Sequence, residues 1–281
     1  MRTIEVDQIT QVVAKMCIDA CYYLSEDVYD ALVVAGRQEE SPLGKEIIGK
    51  ILENANIAKS DQVPICQDTG MTVIFMEIGQ DVHLVGGDLE EAVNAGVAKG
   101  YTEGYLRKSV VGEPLFNRKN TTNNTPAIIH ITIVPGDKLK IKLAPKGAGS
   151  ENKSALKMLV PADGVEGIKK FVVDIVKLAG PNSCPPLVIG VGIGGTMEKA
   201  TLLAKKSLVR PINKRNPNPE YANLEAELLE LINKTGIGPQ GLGGTKTALA
   251  VNIEYFATHI ASLPVAVNIN CHATRHAEVE L

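Results

Sequence analysis

The sequence predicts a mixed α+β protein, an α/β chain with a helical start, and three observations lead there. Apolar residues recur at helical spacing through the first sixty positions. From Met71 onward, short β-rich runs alternate with helical stretches. A Pro135-Gly136-Asp137 turn between two apolar runs asks for at least one antiparallel pair. The chain therefore divides into a helical N-terminal region, 1–60, and an α/β region, 61–281, expected to form one continuous domain with it.

In the first region Ile9, Val12, Val13, Met16, Cys17, Ala20 and Leu24 repeat at i, i+3 and i+4, the stripe of a helix with one buried face. SEDVYDALVVAG follows as a second helix, with Ser25 as N-cap and Gly36 as stop. SPLGKEIIGKILENA begins a third, with Ser41 capping and Pro42 at the first helical position. MTVIFMEIG reads as a strand, and LEEAVNAGVAKGYTEGYL as a helix with Arg107 and Lys108 at its end, where cations also complement the helix dipole. AIIHITIV and KLKIKLAP form a hairpin across Pro135-Gly136-Asp137. Then come a helix in EGIKKFVVDIVKLAG, a strand in PLVIGVGI, a helix in YANLEAELLELINKTG and a strand in PVAVNIN. The Pro/Asn-rich RPINKRNPNPE at 210–220 reads as a surface loop.

Composition narrows the function classes. With 44% hydrophobic and 22% charged residues the 281-residue chain is globular rather than disordered. Its 29 basic and 32 acidic residues leave a net charge of -3 and no basic stripe, so no nucleic-acid partner is expected. No segment reaches ~18 unbroken apolar residues and MRTIEVDQITQVVAKMC interleaves charges, so neither a membrane span nor a secretory leader is expected, and the location is cytoplasmic. Five cysteines, an odd number in a reducing compartment, point away from disulfides and toward a metal ligand or a nucleophile.

Cys17 and Cys21 share a helix face, but Cys17 falls on the apolar stripe, so both read as small buried hydrophobes. Cys66 in PICQDTG, Cys184 in PNSCPP and Cys271 in NINCHATRH each stand where an apolar segment meets turn residues, a setting suited to site residues on a rigid scaffold. Structural zinc favours closely spaced pairs such as CxxC, which are absent here, whereas an iron–sulfur cluster tolerates scattered thiolates. GVGIGG at 190–195 matches a dinucleotide-binding turn, but no second strand ending in an acid follows; GPQGLGGTKTALA resembles a phosphate loop only loosely. KGAGSENKS, 146–154, reads equally as a cradle of backbone N–H groups for a carboxylate and as a solvated loop.

PICQDTG, KGAGSENKS, NSCPPLVIGVGIGGTMEKA and PVAVNINCHATRH together resemble the α subunit, or N-terminal half, of class I iron–sulfur hydro-lyases, the two-subunit fumarate hydratases and the related L-tartrate dehydratases. The resemblance implies that Cys66, Cys184 and Cys271 hold a [4Fe–4S] cluster whose fourth iron binds substrate, and that Gln67 and Asp68 enter the pocket, Asp68 aiding proton transfer. It implies that Arg107 and the backbone at Gly149 bind substrate carboxylates, and that His259 is a pocket histidine. It further implies a separate β subunit, a small dicarboxylate substrate, an α dimer within a hetero-oligomer, and reversible hydration of fumarate to L-malate. L-Tartrate dehydration is the alternative. A non-catalytic metal-binding regulator would need a fourth protein ligand instead.

Overall fold

A computed structural model describes residues 2–281. The elements run β1 (Arg2–Glu5), α1 (Val6–Tyr22), α2 (Glu26–Gln38), α3 (Pro42–Asp61), β2 (Met71–Gly79), β3 (Val82–Val85), α4 (Leu89–Glu103), β4 (Ile128–Val134), β5 (Leu139–Lys146) and α5 (Ala148–Glu151). They continue with β6 (Ala155–Leu159), α6 (Gly164–Ala179), β7 (Leu187–Gly194), α7 (Met197–Ser207), α8 (Pro219–Asn233), β8 (Ala248–Phe256), β9 (Leu263–Asn270) and β10 (Ala277–Glu280). The fold is mixed α+β, as the sequence predicts. Two compact units form, each from separated stretches: the first from 2–25, 55–148 and 275–281, the second from 26–54 and 149–274. Among the described residues no helix is long and apolar enough to cross a membrane.

In the first unit a four-stranded sheet has the order β10-β5-β2-β4, and β1 and β3 pair in parallel beside it in sequence. The expected hairpin of β4 and β5 does not form. β2 lies between them, parallel to β4 and antiparallel to β5. Its residues are buried along nearly the whole length, so it takes the central place with a neighbour on each edge, and the Pro135-Gly136-Asp137 segment crosses the end of β2 instead of closing a tight turn. Gly79 and Asp81 donate to Lys138 O at 2.8 Å and Gly136 O at 2.9 Å there. α1 packs on α4, whose Gly96 and Gly100 allow a close approach: a Cβ would stand 2.7 Å from Thr10 O at the first and 2.6 Å from Ala14 O at the second. Cys17 and Cys21 are buried in this core beside Val13, Val97 and Tyr101. Burial pushes the Cys17 thiol far above its ordinary range and the Cys21 thiol up to about 11, so both stay neutral.

The second unit is built on the sheet β6-β9-β7-β8, with β7 parallel to β8 and antiparallel to β9. All eight residues of β7 are buried. The two leading glycines of GVGIGG lie inside this strand and make room for α7: a Cβ on Gly190 would be 2.2 Å from Ala204 O, and one on Gly192 2.0 Å from Ala200 O. They serve helix–sheet packing, and the dinucleotide turn considered from the sequence is not formed by them. The loop expected at 210–220 is irregular through 218, and its last two residues already belong to α8; it is anchored by Arg210, which pairs with the fully buried Glu225, while Asn216 Nδ2 donates to Ile253 O at 2.8 Å.

Helix ends follow local chemistry with two exceptions. Ser41 Oγ accepts from Gly44 N at 3.2 Å, a working N-cap for α3. Ser25 precedes α2, but its buried Oγ has no hydrogen-bond partner, and α2 continues through Gly36 to Gln38. The residue after it, Glu39, is 1% exposed. Its carboxylate accepts from Glu40 N (2.8 Å), Ser41 N (2.9 Å), Thr245 N (2.9 Å) and Lys246 N (2.8 Å), and from Thr245 Oγ1 at 3.2 Å. The stretch that loosely resembles a phosphate loop therefore encloses an anion belonging to the protein itself. Burial opposes the charge, but the N–H groups of Ser41, Thr245, Lys246 and Glu40 outweigh it and hold the Glu39 carboxyl below its ordinary range.

A folded pKa below the unfolded one adds stability that is present above the unfolded carboxylate value and is lost as pH falls through the folded value. Glu39→Gln should lower unfolding free energy by about 2–3 kcal/mol at neutral pH, because charge-assisted bonds are lost and backbone donors face an amide N–H. The gap between wild type and variant should narrow below about pH 4. Denaturant titrations at pH 7 and pH 4 measure both; a gap that does not change with pH would remove the charge from the explanation.

Candidate functional site

In the first unit the CQDTG segment leaves α3 and enters β2, and its backbone has no regular ladder to join until Met71. Ile65 N donates to Cys21 O at 2.9 Å just before it. Cys66 and Asp68 are half-buried, Gln67 is exposed, and Thr69 and Gly70 are buried. Asp68 is fixed from two directions: Oδ1 accepts from Gly70 N at 3.0 Å and Oδ2 from Ala148 N at 2.8 Å. A carboxylate has about four lone-pair positions, so two remain for other donors. Arg275 Nη2 donates to the Asp68 carbonyl at 2.7 Å.

Three residues that sequence reasoning passed over shape this loop. The hydroxyl of Tyr101, fully buried, donates to Thr69 O at 2.6 Å and is 3.2 Å from Gly70 O. Asn124 Nδ2 donates to the same Gly70 carbonyl at 3.1 Å, while its Oδ1 accepts from Ser109 N at 2.7 Å. Arg275 is the third. Tyr101 sits on an apolar helix face, which hides its polar end from a periodicity reading, and Asn124 and Arg275 lie far from the loop in sequence.

Arg107 is exposed, and α4 ends at Glu103 with Gly104 as C-cap, so Arg107 stands four residues past the helix rather than at its end. Its carbonyl accepts from Thr69 Oγ1 at 3.0 Å. The structure thus brings the backbones of Arg107 and the CQDTG segment together, and the dipole-complementing role weighed from sequence does not apply.

The second unit carries Cys184 and Cys271. Cys184 is exposed at the end of a short 3-10 turn and adopts a left-handed conformation, φ 53° and ψ 66°, unusual for a residue with a side chain. Cys271 follows β9 and is half-buried. β7 and β9 are paired as far as Val188↔Asn270, and beyond that ladder His272 N donates to Cys184 O at 3.2 Å. These two cysteine turns therefore adjoin. Gly149 is exposed on the single turn of α5, which takes over where β5 ends at buried Lys146. His259 is exposed between β8 and β9, and its Nδ1 accepts from Ala261 N at 3.1 Å. It lines a cleft with Gly195, Met197, Lys199 and Phe256. The eight residues of β9 separate His259 from Cys271, about 26 Å at ~3.3 Å per residue, so the strand holds them at opposite ends.

None of the five cysteines is joined in a disulfide. Among the described residues no group of three or more His, Cys, Asp or Glu side chains is gathered to hold a single metal ion. A four-iron cluster spreads its thiolates over separate irons, so its ligands need not converge on one point.

The family described as fumarate hydratase (Fumerase) matches residues 10–280. A protein of Methanocaldococcus jannaschii whose provisional name is L(+)-tartrate dehydratase subunit alpha is 46% identical over 275 residues, 96% of either chain. The L(+)-tartrate dehydratase subunit alpha of Escherichia coli strain UTI89 is 34% identical over 280 residues, covering 98% of this chain and 91% of that one. Its counterpart in strain K12 is 34% identical over 274 residues, 96% and 89% of the two chains.

Tyr101→Phe should cost about 1–3 kcal/mol, since it deprives a buried carbonyl of its donor. It should also raise the hydrogen-exchange rate of amides in 66–70 relative to those of β2. Unchanged exchange would mean that Asn124 alone holds the loop.

Proposed function

Because the chain belongs to the fumarate hydratase family, we propose that it is the α subunit of a two-subunit [4Fe–4S] hydro-lyase that interconverts L-malate and fumarate. The observation that carries this reading is the division among the cysteines. Cys17 and Cys21 are sealed in a helical core as neutral thiols, whereas Cys66, Cys184 and Cys271 are unbridged, accessible to differing degrees, and borne on turns at strand ends. This donor set fits a cluster held by three thiolates. When bound, the cluster supplies an iron with an open position, a Lewis acid toward an oxygen of the substrate.

The chain's own groups would do the rest. Arg107, whose guanidinium is exposed, would grip a substrate carboxylate through two parallel hydrogen bonds. The exposed amide at Gly149 and the side chain of Gln67 would complete its orientation. Asp68 would accept or return a proton, its carboxylate already aimed by two backbone N–H groups. The resemblance makes His259 a pocket histidine, but it stands at the far end of β9 from Cys271, so this reading gives it no step at the site. The relatives' names favour a second substrate, L-tartrate, which differs from L-malate by one hydroxyl.

The test is anaerobic reconstitution followed by iron and sulfide analysis, then assays on fumarate, L-malate and L-tartrate with and without the presumed β partner. About four irons and four sulfides per chain, with turnover only after the partner is added, are expected. Stoichiometric zinc would overturn the reading in favour of a regulator, and robust turnover by the α chain alone would refute the two-subunit proposal. Preference for tartrate would decide between the two substrates.

Cys66→Ser, Cys184→Ser and Cys271→Ser should each abolish or destabilise the cluster, because a hydroxyl replaces a soft thiolate poorly. Cys17→Ser should change stability only. A Cys17→Ser chain that folds normally and takes up no iron would contradict the ligand assignment.

A further inference from the structure

Gln240 stands on the glycine-rich connection between α8 and β8, in a left-handed conformation with φ 52°. Its backbone N–H and its side-chain Nε2 both donate to Pro185 O at 2.8 Å, and Nε2 also lies 3.1 Å from His272 Nδ1. An amide nitrogen has two hydrogens, so one serves Pro185 O and the other serves His272 Nδ1 in the tautomer that makes this nitrogen an acceptor; in the other tautomer Nδ1 donates to Cys184 O, also 3.1 Å away. In both, Cys184 O keeps the His272 backbone N–H as a donor. One side chain thus joins the residue after Cys184 to the residue after Cys271. No strand pairing performs this task, because the β7–β9 ladder stops at Val188↔Asn270.

The connection that carries Gln240 is itself fixed. Gly241 presses on Pro181, where an added Cβ would stand 2.3 Å from the proline Cβ. Gly238 N donates to Thr247 Oγ1 at 3.1 Å, and Glu39 holds Thr245 and Lys246. Gln240 is therefore presented to the two cysteine turns from a braced backbone.

We propose that Gln240 is a positioning residue for Cys184 and Cys271, tying their turns together so that the two thiols keep the spacing a cluster requires. The proposal rests on the cluster reading above. It acts through the backbone of Pro185 and through His272, and it needs no contact with substrate. Loss of the amide donors should loosen both turns while leaving Cys66, which lies on the other unit, unaffected.

Gln240→Glu preserves size but removes the side-chain donor, leaving Pro185 O only the backbone N–H of residue 240, and Gln240→Met preserves length without polarity. In the metal-free chain, iodoacetamide should alkylate Cys184 and Cys271 several-fold faster in either variant, with the Cys66 rate unchanged. In the reconstituted chain, a chelator should remove iron several-fold faster from the variants than from wild type, while the melting temperature of the metal-free chain moves little. Should Gln240→Glu fold poorly, Gln240→Met gives the same readouts. Alkylation and iron-loss rates equal to wild type would overturn the positioning role alone. A wild-type chain that takes up neither iron nor sulfide would overturn the cluster reading and this role with it.

Discussion

Backbone groups outside helices and sheets still require hydrogen-bond partners when buried, and in this protein that demand organises every turn bearing a candidate functional side chain. The CQDTG segment finds its partners in Tyr101, Asn124 and the Asp68 carboxylate. The glycine-rich 236–247 connection finds them in Glu39 and Thr247. The Cys184 turn finds them in Gln240 and His272. Asp68 and Thr247 serve their own segments, and the other partners bring a polar side chain from a regular element or a distant stretch of chain against an irregular one. Such a turn is held by a few directed bonds, each worth roughly 0.5–1.5 kcal/mol net and more when charged, rather than by apolar area.

The regular elements supply what these turns lean on. β2 and β7 are interior strands of their sheets, each flanked on both edges, and the candidate cysteines stand where such strands begin or where a neighbour ends. Close helix–sheet contact at Gly190 and Gly192 and close helix–helix contact at Gly96 and Gly100 leave little slack in either unit. Densely packed interiors transmit small displacements instead of absorbing them, so the turns inherit defined positions.

Much of this was legible in the sequence, and the parts that were not share a physical cause. The α1 stripe as far as Cys21, the β2 run, the Ser41 cap and most of the irregular 210–220 stretch are local features, legible from neighbouring residues. The β4–β5 hairpin was misread because Pro135-Gly136-Asp137 is a sound turn signal, yet the more buried β2 took the place between the two strands. GVGIGG carries the spacing of a nucleotide turn, but glycine answers equally to an approaching helix. The three cysteines on turns could be distinguished from the two in α1 by their flanking residues alone. Tyr101, Asn124, Glu39 and Gln240 could not be singled out, since each has partners 15 to 206 residues away and no local pattern marks them.

The distance between Glu39 and its cradle bears on how the chain matures during synthesis. Thr245 follows Glu39 by 206 residues, which at about 5–20 residues per second means an interval of roughly 10–40 s. Through that interval the carboxylate has water where its amides will be, and the segment 26–54 has no companion from 149–274 against which to settle. The first unit also waits, because its edge strand β10 follows its partner β5 by about 130 residues. Each unit is assembled from separated stretches of chain, so neither can close vectorially from the N-terminus, and a nascent chain presents unfinished sheet edges until β10 has been made.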